Sequence, residues 1–166
     1  MRQAGVAHER EARVSETGER PGRCSNAGLR RATRRLSQLY DDAIAPSGLR
    51  ATQFGLLVQL RDLGTPTMGE LAEAMVMDLS ALGHTLKPLA RDGLVTLAVD
   101  ERDRRQRRVA LTEAGRTRLR AAAARWREAQ LRFEAVFGRE KAAQLRALVD
   151  EIASPGFGEA FGRTGD

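Results

Sequence analysis

The sequence predicts a mainly α-helical chain carrying one small β-hairpin. Two observations point there. Through most of the chain apolar residues recur at steps of three and four, the signature of one helix face. Between Val95 and Leu111 the period drops to two, that of a half-buried strand. Composition agrees: 42% of the 166 residues are apolar but only 4% are aromatic, so Leu, Val and Ala must build the core. Ala, Leu and Arg also favour helix on propensity.

Residues 1–22 are charged and lack aromatics, so they cannot bury enough apolar area to offset their ordering entropy and are expected as a flexible arm. Leu29, Leu36, Leu39, Tyr40, Ala43 and Ile44 then mark a first helix, ended by Pro46-Ser47-Gly48. A second helix with Phe54, Leu56, Leu57, Val58 and Leu60 is apolar nearly all round and should be buried. Gly64-Thr65-Pro66 stops it. Thr67, with Glu70 three residues on, forms a capping box ahead of Leu71, Ala72, Met75 and Val76. Asp78 caps the next helix, whose packing face is Leu79, Leu82, Leu86 and Leu89, and Asp92-Gly93 ends it. Val95, Leu97 and Val99, then Val109 and Leu111, flank the charged loop Asp100–Arg107 as a hairpin. Thr112 caps a long helix with Leu119, Ala122, Trp126, Ala129, Phe133 and Val136. After Gly138 a last helix carries Ala142, Leu145, Leu148, Val149 and Ile152. The segment from Pro155 to Asp166 is rich in Gly and Pro and reads as a frayed tail.

The chemistry excludes several classes. The only histidines are His8 and His84 and the only cysteine is Cys24, so no Cys/His metal cluster, no internal disulfide and no disulfide scaffold are expected. No Gly-rich phosphate loop follows a strand, and adjacent Asp41 and Asp42 diverge on a helix rather than form an acid–base pair. No catalytic residue, metal or cofactor is expected, and the chain does not read as an enzyme. No leader peptide and no membrane-spanning run are visible, which suggests a cytoplasmic protein with no membrane partner.

The net charge of +6 suits a polyanion, provided the cations are gathered. They are. The hairpin loop holds Arg102, Arg104, Arg105, Arg107 and Arg108 against Asp100, Glu101 and Asp103. Arginine's planar fork matches phosphate, and Asp100 or Asp103 can orient one arginine by pairing with it. Opposite the four leucines of the helix before the hairpin stand Ser80, Ala81, His84, Thr85, Lys87 and Pro88, small or polar side chains able to approach base edges and phosphates. The helix beginning after Thr67 offers its first amides to phosphate, with the Thr67 hydroxyl beside them.

Three stretches, TMGELAEAM at 67–75, DLSALGHTLKPLARDGLV at 78–95 and DERDRRQRRVALTEAG at 100–115, resemble the MarR family. The charged loop D-x-R-D-R-R followed by a strand and L-T-x-x-G is the most specific of these, and the likeness runs from about Leu29 to Arg116. Arg50, His84 and Ala90 depart from the common pattern. The resemblance implies a winged helix–turn–helix with a helical dimerisation region: residues 23–50 as a dimerisation helix, 51–112 as a DNA-binding lobe, 113–153 as C-terminal dimerisation helices and 154–166 as a flexible tail. It implies a homodimer on a pseudo-palindromic operator in double-stranded DNA, with one of Arg102, Arg104 or Arg105 in the minor groove and Asp103 beside them, and it favours repression. It further implies a small aromatic or phenolic effector held by Leu36, Tyr40, Phe54, Leu57 and Trp126, with Arg35 or His84 for a carboxylate. Two other readings stay open: thiol-based redox sensing by Cys24, and a basic architectural DNA-binding protein without a sensor.

Overall fold

The computed structural model describes residues 24–163. The expected arm at 1–22 lies outside them. The elements are α1 (Ser25–Ile44), a 3₁₀ turn (Ala45–Ser47), α2 (Ala51–Leu63), α3 (Met68–Ala74), α4 (Leu79–Arg91), β1 (Val95–Val99), β2 (Arg107–Leu111), α5 (Glu113–Phe137), α6 (Arg139–Ala153) and α7 (Pro155–Arg163). The chain divides into two compact units after Leu36. In the first, Cys24 is exposed and its carbonyl accepts from the Gly28 N–H at 3.0 Å as α1 begins.

The core of the second unit is leucine-built, as the scarcity of aromatics requires. Ile44, Leu56, Leu57, Leu60, Leu71, Leu82, Leu86, Leu89 and Val109 are fully buried, joined by Leu94, Leu111, Leu119 and Ala122. Helix starts are fixed by side chains. Thr67 accepts from the Glu70 N–H while Glu70 accepts from the Thr67 N–H, the expected capping box. Asp78 accepts from Ala81 N–H, and Thr112 from Gly115 N–H. Before α2, where Arg50 has no cap to offer, Gln53 takes the Arg50 N–H and Asp41 takes the Ala51 N–H at 2.5 Å.

Gly93 and Gly115 show two different reasons for a glycine. Gly93, at φ +69°, ends α4 with its N–H on the Ala90 carbonyl and the Leu94 N–H on that of Leu89. A Cβ on Gly115 would sit 2.0 Å from the Leu94 carbonyl oxygen, so the start of α5 closes on the residue ahead of β1 only because that side chain is absent. The end of α3 makes the same two-bond cap, but Val76 holds the left-handed position at φ +51°. A β-branched residue is strained there.

β1 and β2 pair antiparallel in the register Val95↔Leu111, Leu97↔Val109, Val99↔Arg107. Pro66 and Thr67 extend this edge, with Val109 N–H on the Pro66 carbonyl and a bridge from Thr67 to Arg108.

Four local expectations change. Leu79 is 58% exposed, because it opens α4 beyond the core's rim, so three leucines rather than four anchor the helix. Leu97 and Val99 are exposed, since only the base of the hairpin rests on the core. Val76 turns outward with its strained turn. The Gly-rich end from Pro155 to Arg163 forms α7: the Ser154 hydroxyl accepts from the Phe157 N–H, and Pro155 is preset for a first helical position.

Candidate nucleic-acid interface

Helices α2, α3 and α4 make a helix–turn–helix in which α4 is held from behind. With Leu82, Leu86 and Leu89 buried, the helical repeat turns Ser80, His84, Lys87 and Arg91 to the opposite side, and all four are exposed. Ala81 and Pro88 lie at the edge of that face. Thr85 lies nearer the buried side, half-buried, and its hydroxyl donates to the Ala81 carbonyl at 3.0 Å. Thr67 is buried and its hydroxyl oxygen is committed to the helix cap, so the structure does not place it on the exposed face. Arg91 was not singled out from sequence. Its signal was the step of seven from His84.

The hairpin tip is shaped by two aspartates. Asp100 is buried to 4% exposure, and its carboxylate accepts from the Asp103 and Arg102 amides while pairing with the Arg108 guanidinium. The amide bonds from Asp103 and Arg102, then Arg108, hold its pKa below the ordinary aspartate value. Arg108 also donates to the Thr65 carbonyl at 2.7 Å, tying the hairpin to the loop before α3. Asp103 accepts from the Arg105 N–H and the Gln106 side chain, so it turns the loop rather than orienting a guanidinium. Of the two aspartates offered for pairing with an arginine, Asp100 does it. That leaves Arg102, Arg104, Arg105 and Arg107 exposed, with no ion pair among the described residues. Among those residues, too, no group of His, Cys, Asp and Glu is arranged to hold a metal, and no helix is long and apolar enough to cross a membrane.

A second feature is a cleft of about 750 Å³ beside α2 and α5, with Tyr40, Phe54, Val58, Arg61, Arg120 and Trp126 in its walls. Phe54 and Trp126 stack with ring centres 5.9 Å apart. Three of the five residues expected to meet a ligand therefore come together. Leu57 is instead fully buried in the core, one position round α2 from the cleft-facing side, and Leu36 belongs to the first unit. His84 is on the exposed side of α4 and Arg35 in the first unit. The cations at the cleft are Arg61, Arg120 and Arg127. Phe54, Val58 and Arg61, at steps of four and three, were the sequence signal for that wall.

An anchored helix with a polar outer face, beside a hairpin tipped with unpaired arginines, defines a winged helix–turn–helix protein. The chain belongs to the MarR family, whose model matches residues 49–106. The transcriptional regulator MosR of M. tuberculosis, whose crystal structure was solved in complex with DNA, is 35% identical over 77% of this chain and 97% of its own, with a TM-score of 0.65. A probable transcriptional regulator from Pseudomonas aeruginosa is 28% identical over 80% of this chain and 99% of its own, with a TM-score of 0.71. The HTH-type transcriptional repressor NicR of Pseudomonas putida is 33% identical over 87 residues, 52% of this chain, which thus spans 55% of that relative's length.

Proposed function

We propose that the protein is a cytoplasmic, homodimeric transcriptional repressor that binds a pseudo-palindromic site in double-stranded DNA and is released from it by a small aromatic or phenolic ligand. One observation carries the DNA reading: the exposed face of α4 and four unpaired arginines of the hairpin tip belong to one lobe tied together through Arg108. Ser80, Ala81, His84 and Lys87 are assigned to the major groove and its phosphates, with the edge of Thr85 beside them. Arg102, Arg104 or Arg105 is assigned to the narrow, strongly negative minor groove, on a loop turned by Asp103. Thr67 acts by fixing the start of α3, whose first amides face phosphate. The DNA complex of MosR and the repressor role in the name of NicR support the same reading.

The cleft supports the ligand reading. Its aromatic walls suit a flat ring and its arginines suit an anion. Exposed Cys24 favours a second reading, release by thiol oxidation.

Footprinting of the purified protein on genomic fragments tests the first reading. Paired half-sites about one helical turn apart are expected. Uniform protection without sequence preference would instead establish the architectural alternative. Release by peroxide that vanishes in Cys24→Ser would establish the thiol reading, and indifference to peroxide would remove it.

A further inference from the structure

The end of α3 and the corner between α6 and α7 border a separate groove of about 810 Å³, which shares no lining residue with the cleft beside α2 and α5. On one side stand Val76 and Met77, in the turn after α3, and on the other Ile152 and Pro155. Val76 is 71% exposed and Ile152 44%, so large apolar side chains from two elements meet water at one place. The charged groups of the groove are Glu70 and Glu73, one helical turn apart on α3, and no Lys or Arg lines it. That is unusual ground in a chain of net charge +6, whose other cleft is walled by Arg61, Arg120 and Arg127. The Thr67 amide holds the Glu70 carboxyl below the ordinary glutamate pKa, so it stays charged. The Glu73 carboxylate is exposed and has no ion pair among the described residues.

We propose that this groove is a binding site for an amphipathic organic cation, whose ammonium group pairs with Glu73 and Glu70 while its alkyl body covers Val76, Met77 and Ile152. Each half of the ligand answers one half of the lining. The apolar body removes exposed surface from water, and the cation meets carboxylates with no protein cation to compete for them. An anion of the same shape is repelled. The site also borders the turn from which α4 starts. The Val76 and Met77 N–H groups bond back to the Glu73 and Ala72 carbonyls, and Asp78 caps α4 at the next residue. A bound ligand therefore touches the α3–α4 connection directly.

Calorimetric titration with octylammonium, octanol and octanoate, which share a tail and differ in head charge, tests the site. Octylammonium should bind about fivefold more tightly than octanol, as two exposed ion pairs allow, and octanoate more weakly than either. Glu73→Gln should remove most of that preference, and Ile152→Ser should weaken octylammonium and octanol alike. Both positions are exposed, so neither change threatens the fold. Trp126, the only tryptophan, lines the other cleft, so its fluorescence should stay constant through the titration. A fluorescence change with the midpoint of the heat would place the ammonium there and overturn the assignment. Equal affinities for the three heads, or a preference that survives Glu73→Gln, would overturn the role of the carboxylates. Absence of binding by all three would overturn the site outright. If Ile152→Ser then lowered self-association in sedimentation, the groove would belong to a second copy of the chain instead.

Discussion

The α2–α4 lobe and the α5–α6 pair solve opposite problems with the same residue types. In the lobe, Leu56, Leu57, Leu60, Leu82, Leu86 and Leu89 are all buried to within 1%, and the outer face of α4 carries exposed Ser80, His84, Lys87 and Arg91. Along α5 and α6, Leu131 is 61% exposed, Val136 91% and Leu148 58%, with Val149 and Ile152 also open. Apolar surface costs about 25 cal/mol per Å² when it could be covered, and a patch of this kind marks an interface. The lobe buries most of its leucines in its own core and turns a polar, basic helix face outward. The long helices leave theirs unfinished, which fits a partner of the same kind.

Ways to break that contrast range from severe to slight. Gly115→Ala should do most damage, since the added carbon meets a backbone carbonyl that cannot step aside. A loss of about 3 kcal/mol is expected in urea unfolding, because the overpacking is rigid. Val136→Asp should leave monomer stability within about 0.5 kcal/mol yet weaken self-association tenfold or more by sedimentation. Unchanged association would remove α5 from the interface. Val76→Gly should stabilise the lobe by about 1 kcal/mol, because it relieves a left-handed valine that is 71% exposed and gives up little burial. The smallest effect is acid-dependent. Asp100 has a folded pKa below its unfolded value of about 3.9, so its contribution is complete above that value and lost as pH falls through the lower, folded one. Melting temperatures below about pH 4 should therefore fall more steeply in the parent than in Asp100→Asn.

The same contrast explains what the sequence could reveal. Helices and hairpin were legible because spacing, caps and turns are local: Thr67 with Glu70, Asp78, Gly93 and Thr112 all act within a few residues. Periodicity shows which residues share a face but not where the core stops, so Leu79 looked like Leu82, and Leu57 looked like its cleft-lining neighbour Phe54. Partnerships across the chain were silent. Nothing in the run of arginines set Arg108 apart from Arg107, until Thr65 and Asp100 were brought to it. Asp41 supplies a cap ten residues away that Arg50 cannot, and α7 hides behind glycines because Ser154 starts it. The cleft's cations came from helices read only for their apolar faces.

The central claim is that the arginine tip of the hairpin binds duplex DNA together with α4. Equilibrium binding of the parent and of Arg104→Ala/Arg105→Ala to one footprinted duplex, across a salt series, tests it most directly. The double variant should bind about a hundredfold more weakly, with a log–log salt slope smaller by about 2 and self-association unchanged. An unchanged affinity and slope would contradict the claim.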